Sequence, residues 1–277
     1  MESIMAVDNS FLAKRFLKTE TIFVLYSTAT NMPFVECDQT TFLDQIFAFT
    51  KEETLQQYAK IFTKVHFGLR ALQFPNDKFQ VLFDQMYAMG ADTIQFVDEG
   101  APVALNLADV AEESAYPDLP KDIPTTNPEF QLTAAYFMQD ARRKMERTDE
   151  EQRHLRELEE EMAVNLVRSK LIVAFETSQV KGKWNPADKS QKVGVPYIRN
   201  KAGKVFYPVY SDFYEFRRFN SGSSNLKLSI TAVDYDALPK LLHKPAESFV
   251  FNPASLNLLL NADQLAEMKR RYAPDVQ

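Results

Sequence analysis

The chain has 277 residues, 45% of them hydrophobic and 25% charged, with a formal net charge of −6. That balance belongs to a folded globular protein and excludes a largely disordered chain or a dedicated nucleic-acid binder. One cysteine, Cys37, excludes an internal disulfide and a multi-cysteine zinc site, and the seven glycines stand too far apart to build a phosphate cradle.

The opening Met1–Ser10 has neither the basic start nor the long apolar run of a secretory leader, and no apolar stretch approaches the ~20 residues that span a bilayer. A cytoplasmic protein with no membrane partner is expected. Thr21-Ile-Phe-Val-Leu-Tyr26 reads as a strand, Met32-Pro-Phe-Val35 as a second and Phe47-Ala-Phe-Thr50 as a third. A helix carrying Leu55 and Tyr58 follows, with Glu52-Glu53 in its first turn, where acids favour the helix dipole. His66 is expected to end that helix. Glu112-Glu113 is expected in a surface helical turn.

Between residues 106 and 168 the chain changes character. Tyr116–Pro124 is a proline-punctuated loop. From Pro128 the chain reads as helix, with one apolar stripe at Phe130, Ala134, Phe137 and Ala141, and another at Leu155, Leu158, Met162 and Leu166. Thr148-Asp-Glu-Glu151 fits a capping box, so a break is expected near 147–150. Glu159–Glu161 reads as a solvated face.

The last part repeats the first. Lys170–Phe175, Val193–Ile198 and Val205–Tyr210 read as strands, with Asn200-Lys-Ala-Gly203 as the hairpin turn between the last two. Pro196 and Pro208 place them at edges or strand ends. Ser211-Asp212 can cap a helix with Phe213, Phe216 and Phe219 on one face. Leu226–Thr231 reads as a strand and Asp234–His243 as a helix ending on His243. Glu247–Phe251 is a strand closed by Asn252-Pro253, and Asn261 or Asp263 can cap a last helix. Thr21–Tyr26 falls on Lys170–Phe175, Met32–Val35 on Val195–Ile198, and Phe47–Thr50 on Pro208–Ser211. Residues 91–113 then align with 246–268 without a gap at an offset of 155. A repeat of this length implies tandem domains. The expected fold is α/β, with α+β as the variant: two homologous mixed-sheet domains, 1–114 and 169–277, joined by the loop and helical linker 115–168.

The second copy resembles the SseB (enhanced serine sensitivity) family in its N-terminal domain. Tyr207-Pro-Val-Tyr-Ser211 is similar to the family's proline-hydrophobic-aromatic-Ser/Thr segment. Phe249-Val-Phe-Asn-Pro-Ala-Ser-Leu-Asn257 is similar to its strand ending in Asn-Pro-small-Ser. The resemblance covers about residues 168–272. It implies a mixed-sheet α/β domain, and no catalytic chemistry is attached to these motifs. The first copy departs from it, with Val97-Asp-Glu-Gly100 where Asn-Pro stands in the second.

The chemistry-bearing residues are sparse. His66, His154 and His243 have no ligand-spaced partner, so no metal or organic cofactor is expected. Cys37 lies between Glu36 and Asp38, which oppose a reactive thiolate. No catalytic fingerprint is present. The candidate ligand site is Asn252, Pro253 and Ser255, where a strand end can offer backbone N–H groups, although such residues also serve tight turns. The candidate partner site is Lys181, Lys183, Trp184 and Lys192, in a segment (181–204) with seven cations and one acid. Residues 1–120 carry a net −9 and residues 171–277 a net +5. The expected function is a non-catalytic binding or adaptor protein, with a protein partner or self-association. The alternatives are a small-ligand sensor or enzyme with a pocket near Asn252-Pro253, and nucleic-acid binding through 181–204, which the overall negative charge disfavours.

Overall fold

The computed structural model describes residues 10–188, 190–221 and 226–272. The chain has a mixed α/β fold and divides into two compact units, 1–115 with 142–145, and 116–141 with 146–277. No described helix is long and apolar enough to cross a membrane.

The first unit runs α1 (Ser10–Leu17), β1 (Thr21–Ser27), β2 (Met32–Pro33), β3 (Glu36–Cys37), β4 (Asp44–Phe49), α2 (Glu52–Thr63), β5 (Leu69–Pro75), α3 (Phe79–Met89), β6 (Thr93–Val97), β7 (Val103–Asn106) and α4 (Leu107–Val110). The sheet order is β5-β1-β4-β6-β7, with β4 and β6 parallel and the other pairs antiparallel. β2 and β3 form a bent strand pairing first with β1, then with β4. Ile22, Val24, Leu25, Ile46, Ala48, Phe49 and Ile94 are almost wholly excluded from solvent. Burial on both faces of β4 and β6 explains why these strands are near-continuous apolar runs rather than alternating ones. Gly90 closes α3 at φ 82°, a conformation glycine adopts without a Cβ penalty.

The second unit runs α5 (Pro128–Ala141), α6 (Asp149–Arg168), β8 (Lys170–Glu176), β9 (Ile198–Arg199), β10 (Val205–Val209), α7 (Phe213–Asn220), β11 (Leu228–Asp234), α8 (Leu238–Leu241), β12 (Ser248–Phe251), β13 (Leu258–Leu260) and α9 (Ala262–Tyr272). Its strands follow the order β11-β8-β10-β12-β13, with β8 joined to β10 through the Ile172–Tyr210 bridge. The register matches that of the first sheet pair by pair. Ile46 faces Ile94 as Tyr207 faces Phe249, and Ile94 faces Leu105 as Phe249 faces Leu260. Ile22 faces Phe74 as Leu171 faces Val233, and Phe23 faces Phe49 as Ile172 faces Tyr210. Ser27 faces Met32 as Glu176 faces Gly194, so Met32 corresponds to Gly194, one residue from the Val195 expected above. A one-residue shift exchanges the faces of a strand, and here only the pairing fixes it.

Segment 115–168, expected as a linker, falls mostly in the second unit. α5 packs on α6, the Phe213 N–H donates to the Pro124 carbonyl (2.9 Å), and Asn127 Nδ2 donates to the Ser211 carbonyl (3.3 Å). The break between the helices lies where expected: Thr148 and Glu151 form a reciprocal capping box at the start of α6. The apolar stripes are buried at Phe130, Ala134, Met162 and Leu166, while Phe137, Ala141, Leu155 and Leu158 are half-buried.

Several local expectations are corrected. Val193–Ile198 contributes only a bridge at Gly194 and the start of β9, since Pro196 has no N–H for a ladder. Asp234–His243 is a 3-10 turn followed by the four-residue α8. Glu112-Glu113 lies in non-helical chain beyond α4. His66 and His243 lie beyond their helices and are exposed, His66 with φ 68°. Of the two caps expected for α9, Asn261 is the one formed, its Oδ1 accepting the Gln264 N–H at 2.9 Å.

Candidate functional site

Asn252 ends β12 in the left-handed region, at φ 46°, a conformation asparagine tolerates better than most residues. Its side chain turns inward. Asn252 Oδ1 accepts the Ser211 N–H and Asn252 Nδ2 donates to Ser211 Oγ, both at 2.8 Å. The Asn252 carbonyl accepts the N–H groups of Ser255 (3.0 Å) and Asn257 (2.9 Å). Ser255 Oγ donates to Glu215 Oε2 at 2.6 Å. Pro253 is half-buried beside them. The turn proposed from the sequence is therefore part of a buried polar network that clasps the β10–α7 junction.

Asp212 and Glu215 are the residues that sequence reasoning missed as chemistry, having read Asp212 only as a cap. Asp212 Oδ1 accepts the Glu215 N–H (2.9 Å), and Asp212 Oδ2 accepts from Ser211 Oγ (2.6 Å) and Gln131 Nε2 (2.8 Å). Asp212 is fully buried and Glu215 nearly so. Burial, with the nearby Glu215 charge, pushes the Asp212 carboxyl up to about 7, against the opposing hydrogen bonds from Ser211, Glu215 and Gln131. Burial also raises Glu215, against the Arg218 guanidinium 3.4 Å away. Gln131 Oε1 is a buried acceptor without a hydrogen-bond partner among the described residues. The signal lay in Ser-Asp-x-x-Glu before an aromatic helix; its burial depends on α5, far away in sequence. The first unit has Lys51, Thr54, Val97 and Gly100 at the corresponding places. There the Thr50 N–H simply donates to the Val97 carbonyl (3.1 Å), and Lys51 gives α2 no side-chain cap.

At the C-terminal end of α7 lies a groove of about 330 Å³ lined by Pro196, Tyr197, Ile198, Pro208, Tyr210, Phe219, Asn220, Leu226 and Leu228. Phe219 and Leu226 are 36% and 51% exposed on it. Asn220 Nδ2 reaches the Tyr210 hydroxyl at 3.4 Å, and burial pushes that hydroxyl up to about 12. The matching positions of the first unit are filled by rings. Phe34 and Phe47 stand where Pro196 and Pro208 stand, Tyr58 where Phe219 stands, and Phe67 where Leu226 stands. Phe62, one turn further along α2, packs on Phe34 (4.8 Å) and Phe47 (5.6 Å). α7 ends at Asn220, the counterpart of Ala59, so that last turn has no described equivalent. Smaller side chains at three of these positions, Pro196, Pro208 and Leu226, leave space there.

Lys181, Lys183 and Lys192 are exposed, as are Arg199, Lys201 and Lys204; Lys189 lies outside the described residues. Trp184 is half-buried with its ring 5.4 Å from that of Phe175. Asx-type turns at Asn185 and Asp188, and the Asn185 N–H bond to Gln191 Oε1 (2.9 Å), organise the loop. The structure does not bring these lysines to the Asn252 turn. Cys37 is half-buried, and burial with Asp44, Asp38, Glu36 and Asp92 raises its thiol.

No family model and no curated protein matches the chain. Two solved structures align over nearly its whole length. One is Anabaena Tic22 (protein transport), with 9% identity over 100% of both chains and a TM-score of 0.20. The other is Tic22 from Plasmodium falciparum, with 11% identity over 95% of this chain and 99% of that one, also at 0.20. A superposition score of that size does not establish a common fold.

Proposed function

We propose that this protein is a non-catalytic, cytoplasmic binding or adaptor protein, built from two diverged copies of one SseB-like domain, and that the groove of the second unit receives an apolar segment of a partner protein. The groove carries this reading: the same place is packed with phenyl rings in the first unit and left open in the second. The polar groups of the Asn252 turn support it from the other side. They are spent on Ser211 and Glu215, which is what a structural clasp requires and a ligand site does not. Exposed apolar side chains beside a cavity are the usual composition of a protein-binding patch.

A small apolar molecule is the second reading, favoured by a volume near the lower limit of small-ligand pockets, about 300 Å³. Replacing the buried Pro208 by Phe, the residue at the matching place in the first unit, puts a ring at the groove. Crosslinked partners recovered with the wild type and lost with Pro208→Phe support the proposal. Equal recovery with a folded Pro208→Phe variant refutes it, and saturable uptake of an apolar dye, blocked by Pro208→Phe without any partner, favours the small molecule.

A further inference from the structure

We propose that the groove between α2 and β5 of the first unit docks a proline-punctuated segment of a partner protein. That segment carries Leu and Ile four residues apart, a proline after the Ile and a basic residue three before the Leu. The second unit supplies the argument, because it fills the corresponding place with a segment of its own. The inference is separate from the reading of the second unit's groove.

In the second unit, residues 116–125 lie as a strap across one face of β8 and β11 and the start of α7. Two successive turns shape the strap. They are closed by the Leu119 N–H on the Tyr116 carbonyl (3.1 Å) and the Ile123 N–H on the Pro120 carbonyl (3.0 Å). The turns deliver Leu119 and Ile123 to a cluster with Ile172, Ala174, Tyr210 and Phe216. Ile123 and Ile172 are buried there. The strap then meets the first turn of α7: the Pro124 carbonyl accepts the Phe213 N–H (2.9 Å) and the Thr125 carbonyl the Tyr214 N–H (3.4 Å). The Tyr116 ring stands edge-on to Phe213 (5.1 Å), with the Arg217 guanidinium over it (5.1 Å). Asp118, Lys121 and Asp122 are exposed. The strap is therefore held by Tyr116, Leu119, Ile123 and two carbonyls.

The matching place of the first unit is a groove of about 210 Å³. Leu25, Leu55 and Ala71 line it where Ala174, Phe216 and Ile230 stand in the second unit. Its volume lies below the ~300 Å³ at which small-molecule pockets begin, and it suits aliphatic side chains instead. Phe23, the counterpart of the buried Ile172, is only half-buried. The Glu52 and Glu53 N–H groups, counterparts of those of Phe213 and Tyr214, have no acceptor among the described residues, and Lys51 provides no side-chain cap. The two glutamate side chains repel an anion, so neutral peptide carbonyls are the acceptors that fit. Prolines preform the turns of such a segment and lower the cost of ordering it. The rim differs in character. Glu52 and Gln56 stand where Phe213 and Arg217 hold Tyr116, and they offer neither a ring nor a guanidinium. A lysine or arginine at that position of the segment meets Glu52 instead.

Fluorescence anisotropy tests this, with the full chain and a labelled peptide of residues 115–126 carrying Tyr116→Lys. Saturable binding is expected, weakening as salt rises. The unaltered peptide should bind about fivefold more weakly, the upper end of what one exposed ion pair contributes. Glu52→Phe with Gln56→Arg rebuilds the tyrosine cradle and should reverse that preference. Both positions are exposed, so this variant keeps the test independent of any destabilisation. Ala71→Phe should abolish binding of both peptides, and Pro208→Phe, in the other unit, should leave it unchanged. Absence of saturable binding overturns the inference, as does binding retained by Ala71→Phe or a double variant with the wild-type preference. A wild type that holds the unaltered peptide as tightly overturns it too, by making the strap of a second copy an equal occupant. Loss with Pro208→Phe overturns it by placing the peptide in the second unit's groove, and that groove is judged separately, by its crosslinked partners.

Discussion

Asp212→Asn tests whether the buried network sets the pH dependence of the second unit. A free aspartate titrates near 3.9, and the buried Asp212 is held up to about 7. At ~1.36 kcal/mol for each tenfold change, keeping this group ionised costs the folded state about 4 kcal/mol. The sign follows from the raised value. The folded state retains a proton that the unfolded chain has lost, so the associated stability is fully present below about pH 4 and is lost as pH rises through about 7. Asparagine mimics the protonated acid. Its Oδ1 keeps the bond from the Glu215 N–H, and its Nδ2 faces Ser211 Oγ, which can accept. A turned Gln131 amide then offers its unpartnered Oε1 to the same Nδ2. Asp212→Asn should therefore lose most of the slope between pH 4 and 7 and match or exceed the wild type at pH 8. Glu215 remains in both proteins, so the difference reports Asp212 together with its coupling to Glu215. The assay is urea unfolding at a series of pH values, followed by Trp184, which is the sole tryptophan and packs on Phe175 in the second unit. An Asp212→Asn variant with the wild-type slope would show that another group titrates.

Ser255→Ala should leave Glu215 Oε2 without its 2.6 Å donor and cost about 1–3 kcal/mol in the same assay. Thr148→Ala should remove the α6 capping box and cost about 1 kcal/mol, seen as a lower urea midpoint. Leu166→Ala truncates a fully buried side chain and should cost about 2–5 kcal/mol; Leu158→Ala, half-buried, should cost clearly less. Equal losses at the two positions would contradict the burial of the α6 stripe.

Local chemistry was legible in the sequence. The capping box at Thr148, the Asn200–Gly203 turn, the cap at Asp212 and the buried apolar runs of β1, β4, β8 and β12 follow from short-range preferences that need no distant partner. So did the matching order of elements, because an apolar run of strand length followed by a capped helix leaves its mark on the letters. Weak elements were misjudged where proline or brevity removed ladder bonds, as at Val193–Ile198 and around α8. The one-residue shift at Met32 was hidden because Met-Pro and Val-Pro look alike, and only hydrogen-bond pairing separates them.

The sequence by itself determined the strands β1, β4, β8, β10 and β12, the helices α2, α5, α6, α7 and α9, and where charge and apolar residues are concentrated along the chain; α1, β5 and α3 were not read from it. The tertiary structure alone decided what the polar residues do. Asn252 and Ser255 read as ligand groups until their partners Ser211 and Glu215, some 40 residues away, were in place. Gln131 and Asp212 meet across 81 residues, and the rings packed together in the first unit come from β4, α2 and the segments before β3 and before β5. Burial, and with it the raised carboxyls, the buried acceptor of Gln131 and the groove, is a property of contacts between distant segments, which no local pattern records.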